Sequence, residues 1–214
     1  MTLVSFDDFT YQSKVLHENH RGAGVVLKLA NGDVAKCFVS KGFILDFARF
    51  YLKRSKVQRH RRSAEALLEI GLLTPTPIEI VHFSKPCLYE GAYIQSFVDR
   101  AKSVSDALPL MSAKGRVKLL SEVSAQISAM VRAGLLFVDL HLGNLLIDDS
   151  GSLWWIDVEL LFSARMVRKH FWQRLRRMHT KCHPELLSGV EWVLLRNLLE
   201  EQVAQYCGPY PFEA

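Results

Sequence analysis

Residues 135–157 read LLFVDLHLGNLLIDDSGSLWWID, and this stretch decides the fold. Asp139 is followed by Asn144 five residues later and by Asp157 a further thirteen on. Residues 145–147 and 153–156 are strand-like, and the turn residues Asp148-Asp149-Ser150-Gly151 join them, so a short hairpin carries Asp157 back to the loop holding Asp139 and Asn144. Phosphoryl transfer needs a carboxylate that orients an attacking hydroxyl and accepts its proton. It also needs oxygen ligands that hold Mg²⁺ against the phosphates of ATP. The Asp-x-x-x-x-Asn spacing sets the first carboxylate and an amide oxygen on one tight loop, and the hairpin adds the second carboxylate.

Upstream of this stretch the chain divides by pattern. Residues 25–30 and 33–39 are strand-like runs joined by Asn31-Gly32, a hairpin turn in which both central positions favour positive φ. Residues 43–70 read as helical, with Phe43, Phe47, Phe50 and Tyr51 on one face. Gly71 stops that helix, and Thr74-Pro75-Thr76-Pro77 is a stiff extended link. Residues 78–83 and 88–97 read as two further strands. After about residue 98 helices dominate. Residues 112–132 carry Leu120, Val123, Ile127 and Val131 at helical spacing with Gly134 just beyond, and residues 164–178 and 184–206 are amphipathic. A β-rich half followed by a helical half predicts an α+β protein of two lobes with a ligand cleft between them.

The 214 residues are 49% hydrophobic and 23% charged, a balance that excludes a disordered chain. No apolar run approaches the ~18 residues of a membrane span, and the opening residues MTLVSFDDFTY lack a signal-peptide core, so a cytoplasmic location is expected. Cys37, Cys87, Cys182 and Cys207 show no zinc or CxxC spacing and are expected as free thiols. The net charge of +5 conceals two basic segments, 49–62 and 163–181. Each has seven Lys or Arg and no acid, leaving 13 bases against 22 acids in the rest of the chain.

The motifs resemble those of kinase-like phosphotransferases: lipopolysaccharide core sugar kinases, RIO-type kinases and aminoglycoside phosphotransferases. The wording is most similar to the bacterial lipopolysaccharide kinases. DLHLGNLLI followed by WWID resembles their catalytic and metal-binding motifs, and RAGLLFVDLHLGNLLI a helix end running into their catalytic loop. VLHENHRGAGVVLKLANGDVAKCF resembles their opening hairpin, SAEALLEIGLLTPTP their helix-to-proline segment, and AYIQSFVDRAKSV their hinge. The likeness covers roughly residues 15–160. It implies a protein-kinase-like fold with an antiparallel-sheet, nucleotide-binding lobe at 1–96 that includes one long helix. A reduced helical lobe at 97–214 would hold the catalytic loop and metal site.

By that resemblance Asp139 is the catalytic base or hydroxyl-orienting carboxylate, and Asn144 and Asp157 are the Mg²⁺ ligands. Lys36 matches the strand lysine that contacts the ATP phosphates; Lys28 is its rival if the register differs. Val34, on the Lys36 face by alternation, would lie against the adenine. Glu65, or Glu69 one turn on, would pair with Lys36. Gly22 and Gly24 would let backbone N–H groups approach the phosphates, although a plain turn explains them equally well.

Two departures stand out. Phe137 replaces the usual histidine of the loop, and Asp157-Val158-Glu159 stands where Asp-Phe-Gly is usual, with no Ala-Pro-Glu element after it. The second departure argues against regulated protein phosphorylation. His141 is expected to support the loop, and Trp154 and Trp155 to pack in the core.

The resemblance therefore implies an ATP- and Mg²⁺-dependent kinase acting on a heptose or 3-deoxy-manno-octulosonate hydroxyl of the lipopolysaccharide inner core. The alternatives are a RIO-like protein kinase, a small-molecule kinase, or a pseudokinase scaffold. The partners expected are the core glycolipid acceptor and the anionic inner face of the cytoplasmic membrane, met by segments 49–62 and 163–181. No aromatic-basic RNA motif is present, and no nucleic-acid partner is expected.

Overall fold

The computed structural model describes residues 3–18, 24–40, 42, 55–84, 87–181 and 186–212. The chain divides into two units, one of Met1–Ala66 with Pro75–Asp99, the other of Leu67–Thr74 with Arg100–Ala214.

In the first unit, β1 (Leu3–Val4), β2 (Lys14–Glu18), β3 (Gly24–Lys28), β4 (Val34–Val39), β5 (Pro77–Phe83) and β6 (Tyr89–Gln95) form one sheet in the order β1-β5-β6-β4-β3-β2. Five strands run antiparallel, and the short β1 lies parallel to β5 at the edge. Alternation along β4 separates two faces. Ala35 and Cys37 join Val25, Leu27, Phe83, Ala92 and Ile94 in one buried cluster. The helix α1 (Phe6–Thr10) packs on this cluster, the rings of Phe6 and Phe9 lying 5.1 and 5.2 Å from that of Phe83. On the other face Phe38 and Tyr93 pack against Val57 and Ala64 of α2 (Lys56–Glu69). Residues 43–54 of the longer expected helix lie outside the described residues.

The β3–β4 turn differs from the expected two-residue form. Gly32 alone has positive φ, at 92°. The Gly32 N–H donates to the Leu29 carbonyl at 2.9 Å, and the Leu29 N–H donates to Asp33 O at 2.8 Å, which makes Ala30–Gly32 a three-residue loop. The Asn31 side chain ties itself to Asp33, donating through Nδ2 at 2.7 Å and accepting the Asp33 N–H at 3.1 Å. Asn31 can therefore stay right-handed and leave the left-handed position to glycine.

The second unit is mostly helical. Its first elements are β7 (Lys102–Ser103), α3 (Val104–Ala107) and α4 (Ala113–Arg132). The Ser112 hydroxyl caps α4 by accepting the Gly115 N–H, and the expected Leu120, Val123, Ile127 and Val131 are all buried. Then come β8 (Leu135–Phe137), β9 (Leu145–Ile147), β10 (Leu153–Trp155) and β11 (Leu160–Phe162). The hairpin β9–β10 was expected; the pairing of β8 with β11, Leu160 opposite Phe137, was not.

The last helices are α5 (Ala164–Lys181) and α6 (Gly189–Cys207). α5 runs three residues beyond the expected 178, and α6 starts at Gly189 because Ser188 and Glu191 form a capping box there. The α5 stripe Val167, Phe171, Leu175 and Met178 is buried throughout, each side chain worth roughly 1.5–3 kcal/mol of transfer free energy. Arg116 of α4 donates through Nη2 to Glu191 Oε2 at 2.7 Å and to the Leu186 carbonyl at 2.9 Å, and through Nη1 to Leu108 O at 3.0 Å.

The fold is α+β, an antiparallel-sheet unit with helices on its faces and a helical unit with short hairpins. No described helix is long and apolar enough to cross a membrane. Cys37, Cys87 and Cys207 are free thiols, and Cys182 lies outside the described residues.

Candidate active site

The loop after β8 is held from several sides within the second unit. Phe137 is buried and its ring lies 4.7 Å from that of Trp155, tilted by 30°. Packing on Trp155 thus supports the loop at the position where Phe137 departs from the motif's usual histidine. The next residue, Val138, donates its N–H to Glu159 O at 2.8 Å, extending the β8–β11 pairing into the loop. Phe137 before it and Leu140 and Leu142 after it are buried anchors, while half of the Asp139 side chain is exposed. An apolar anchor on either side of a solvent-facing carboxylate fixes the backbone and leaves Asp139 accessible to a ligand.

Two further contacts shape the loop. His141 Nδ1 accepts the Gly143 N–H at 3.1 Å, which places its Nε2 3.6 Å from Asp139 Oδ2. His141 therefore supports the loop through the backbone, as expected. Asn144 is buried and donates through Nδ2 to the Asp139 carbonyl at 2.9 Å. Its own carbonyl accepts the N–H of Ile156 at 2.9 Å, which brings the chain just before Asp157 to Asn144. Asp157 then adopts φ 53°, a left-handed conformation that aspartate tolerates better than most residues. Hydrogen bonds in this unit therefore link Asp139 to Asn144, and Asn144 to the segment carrying Asp157.

This donor set fits Mg²⁺. Asn144 Nδ2 donates to the Asp139 carbonyl, so Oδ1 is the atom of that amide suited to a cation, and Asp157 would supply carboxylate oxygens. Both are hard ligands, and Mg²⁺ commonly takes one or two protein oxygens and completes its shell with water and phosphate. Among the described residues no three His, Cys, Asp or Glu side chains converge as a closed metal site would require.

The remaining candidates, Glu69 apart, belong to the first unit. Lys36 is half-buried, opposite Val26 on β3 and Tyr93 on β6; Val34, on the same face, is buried opposite Lys28 and Gln95. The rival Lys28 places its ammonium 3.9 Å over the ring of Phe97. Glu65 accepts from Arg61 Nε at 2.8 Å in an exposed i,i+4 pair. Burial pushes the Tyr93 hydroxyl pKa up, and the charge of Glu65 raises it further. Glu65 thus acts on the cross-strand neighbour of Lys36, while Glu69 is exposed near the end of α2.

Gly24 has φ 147°, and a Cβ there would sit 2.1 Å from the Cys37 carbonyl oxygen, so close approach of β4 is one reason for glycine at that position. Gly22 lies outside the described residues. Tyr93 was missed by sequence reasoning: its register against Lys36 comes from long-range pairing that YEGAYIQ does not display.

The tryptophans are structural. Trp155 is buried and donates to Gln126 Oε1 at 2.7 Å, and Trp154 donates to Asp148 Oδ2 at 2.8 Å. Hydrogen bonds from Ser150 and Trp154 lead those that hold the Asp148 carboxyl pKa down at about 2, which stiffens the β9–β10 turn.

No family model matches the chain, and no curated protein matches it. Solved structures do. A 2.2 Å crystal structure of WbdD aligns with 87% of this chain and 45% of its own, at a TM-score of 0.47 and 15% identity. A structure described as the bifunctional kinase-methyltransferase WbdD aligns at a TM-score of 0.45 and 16% identity, over 86% of this chain and 43% of its own. Vaccinia related kinase 3 aligns at 0.43 and 10%, over 75% and 52%. The chain spans less than half the length of the WbdD chains it resembles.

Proposed function

We propose that the chain is an ATP-dependent phosphotransferase that phosphorylates a sugar hydroxyl, a heptose or 3-deoxy-manno-octulosonate of the lipopolysaccharide inner core. The observation that carries this reading is the bonded loop, in which Asn144 holds the Asp139 carbonyl with one group and the approach to Asp157 with another. The sugar acceptor rests on the resemblance of DLHLGNLLI and its flanking motifs to lipopolysaccharide kinases.

Asp139, half-exposed on a loop anchored by Leu140 and Leu142, orients the acceptor hydroxyl and takes its proton on a carboxylate oxygen. Asn144 Oδ1 and the Asp157 carboxylate would hold Mg²⁺, and Lys36 would meet the phosphates with Val34 against the adenine. Bound Mg²⁺-ATP supplies the phosphoryl group and neutralises its charge. Glu65, and Glu69 as its alternative, would position Lys36. The glycolipid acceptor places the protein at the anionic inner membrane surface, where each basic residue near the surface adds ~1 kcal/mol.

The test is phosphate transfer from labelled ATP to purified lipopolysaccharide. Wild type is expected to label the sugar, and Asp139→Ala to lower the rate by about 10²–10⁴. Full transfer by Asp139→Ala would remove that residue from the mechanism. Label passing to a protein with sugars inert would replace the acceptor class, and nucleotide binding without any transfer would leave a scaffold.

A further inference from the structure

The two basic segments are not equivalent once folded. In the described part of the first, Lys56 lies over the Phe38 ring at 5.6 Å and Arg61 is bound to Glu65. In the second, Arg168 donates to the Tyr206 carbonyl and Arg176 lies over Phe212. By contrast Arg174 and Arg177 have no acidic partner among the described residues, and no acid occurs in residues 163–181.

These two arginines lie on one strip of α5. His170, Gln173, Arg174, Arg177 and Thr180, with Arg176 at the side, line a concavity of about 540 Å³. At 3.6 residues per turn the strip is rotated roughly a third of a turn from the stripe that α5 buries in its own unit. The helix therefore does not offer an apolar face for insertion; what it presents outward is polar and cationic. Residues three apart on a helix are neighbours, about 5–6 Å between Cβ atoms, so the Arg174 and Arg177 forks can engage one anion together. Around them the Thr180 hydroxyl donates to the Arg177 carbonyl at 3.0 Å and His170 Nδ1 lies 3.5 Å from Gln173 Oε1, so the two guanidiniums are the groups offered to an anion. Two adjacent guanidiniums, each a planar fork, hold pairs of phosphate oxygens bidentately, which a point charge does not.

We propose that this concavity of α5 binds a phosphate monoester carried on a lipid headgroup and so seats the protein on a membrane. The choice of a lipid-borne phosphate rests on the glycolipid reading above; the site itself rests on the geometry of α5. A lipid source is favoured over a free anion because Arg165 and Lys169 also lie exposed on α5 without an acidic partner among the described residues. Such a cationic helix is attracted to an extended anionic surface.

The experiment is nucleotide-free co-sedimentation with vesicles of phosphatidylcholine plus phosphatidic acid, a monoester. The comparison is phosphatidylcholine plus phosphatidylglycerol, a diester, matched for surface charge. The unaltered protein is expected to prefer the monoester vesicles, and binding to weaken as salt is raised. The charge-conserving double variant Arg174→Lys/Arg177→Lys is expected to lose about tenfold in affinity for them, because ammonium groups keep the charge and lose the fork. Arg165→Lys, outside the strip, is expected to bind as wild type.

Equal binding to both vesicle types, or an unchanged Lys double variant, would overturn the site and leave only diffuse attraction. Displacement by inorganic phosphate at the concentration of lipid phosphate would overturn the lipid source. Since no nucleotide is present, these outcomes are independent of whether Asp139 supports transfer.

Discussion

The side-chain amide of Asn144 donates to the main-chain carbonyl of Asp139 at 2.9 Å, so the last residue of the loop holds the first in place. Replacing it removes that structural tie together with the oxygen proposed to hold Mg²⁺. Asn144→Ala leaves the Asp139 carbonyl without that donor and is expected to cost about 1–3 kcal/mol in urea unfolding. Asn144→Asp keeps an oxygen for metal but cannot donate when ionised, so it should lose stability and retain more transfer than Asn144→Ala. Equal transfer by the two variants would separate Asn144 from the metal.

Arg116 of α4 and Glu191 at the start of α6 form a hydrogen-bonded charged pair. The Arg116 hydrogen bonds, aided by those of Ser188, hold the Glu191 carboxyl pKa down at about 2. Because the folded value lies below the ordinary carboxylate value of 4.5, this stabilisation is fully present above about pH 4.5 and is lost as pH falls toward about 2. Glu191→Gln should flatten that acid limb in unfolding curves. Arg116→Ala, which strands Glu191 and releases the Leu108 and Leu186 carbonyls, should cost about 3 kcal/mol near neutral pH.

Tyr93 has a buried hydroxyl with no hydrogen-bond partner among the described residues. Removing such a group relieves its desolvation and keeps the ring packed against Phe38 and Val57. Tyr93→Phe is therefore expected to raise stability by about 1 kcal/mol. A fall of that size in the melting experiment would mean the hydroxyl is bonded in solution.

Gly24→Ala would place a methyl carbon 2.1 Å from the Cys37 carbonyl oxygen, at a φ of 147°. Backbone cannot yield as a side-chain tip can, so β3 and β4 must separate locally at a cost of about 2–3 kcal/mol. Gly32→Ala meets no atom within 4 Å and bears only its φ of 92°, so it should cost about 1 kcal/mol. Similar losses from both would show that β4 can move away from Gly24.

The candidate site was legible where it is local. Asp139, Asn144 and Asp157 are separated by a tight loop and a short hairpin, and both elements announce themselves through spacing and turn residues. The Arg116–Glu191 pair, 75 residues apart, and the docking of α1 on Phe83 were not legible. Neither leaves a periodic trace in its own segment, because each depends on which distant surface folds against it.

The sequence by itself determined the α+β class, a β-rich half before a helical half, the buried stripes of α4 and α5, and the tight loop and hairpin that carry Asp139, Asn144 and Asp157. These follow from side-chain period and turn propensity, which act over a few residues. Only the tertiary structure decided which basic residues remain unpaired on α5, why Gly24 allows no side chain, and that Phe137 supports the loop by packing on Trp155. Those outcomes are set by long-range register and burial, where the partner lies far along the chain and the energy depends on how closely the two surfaces meet.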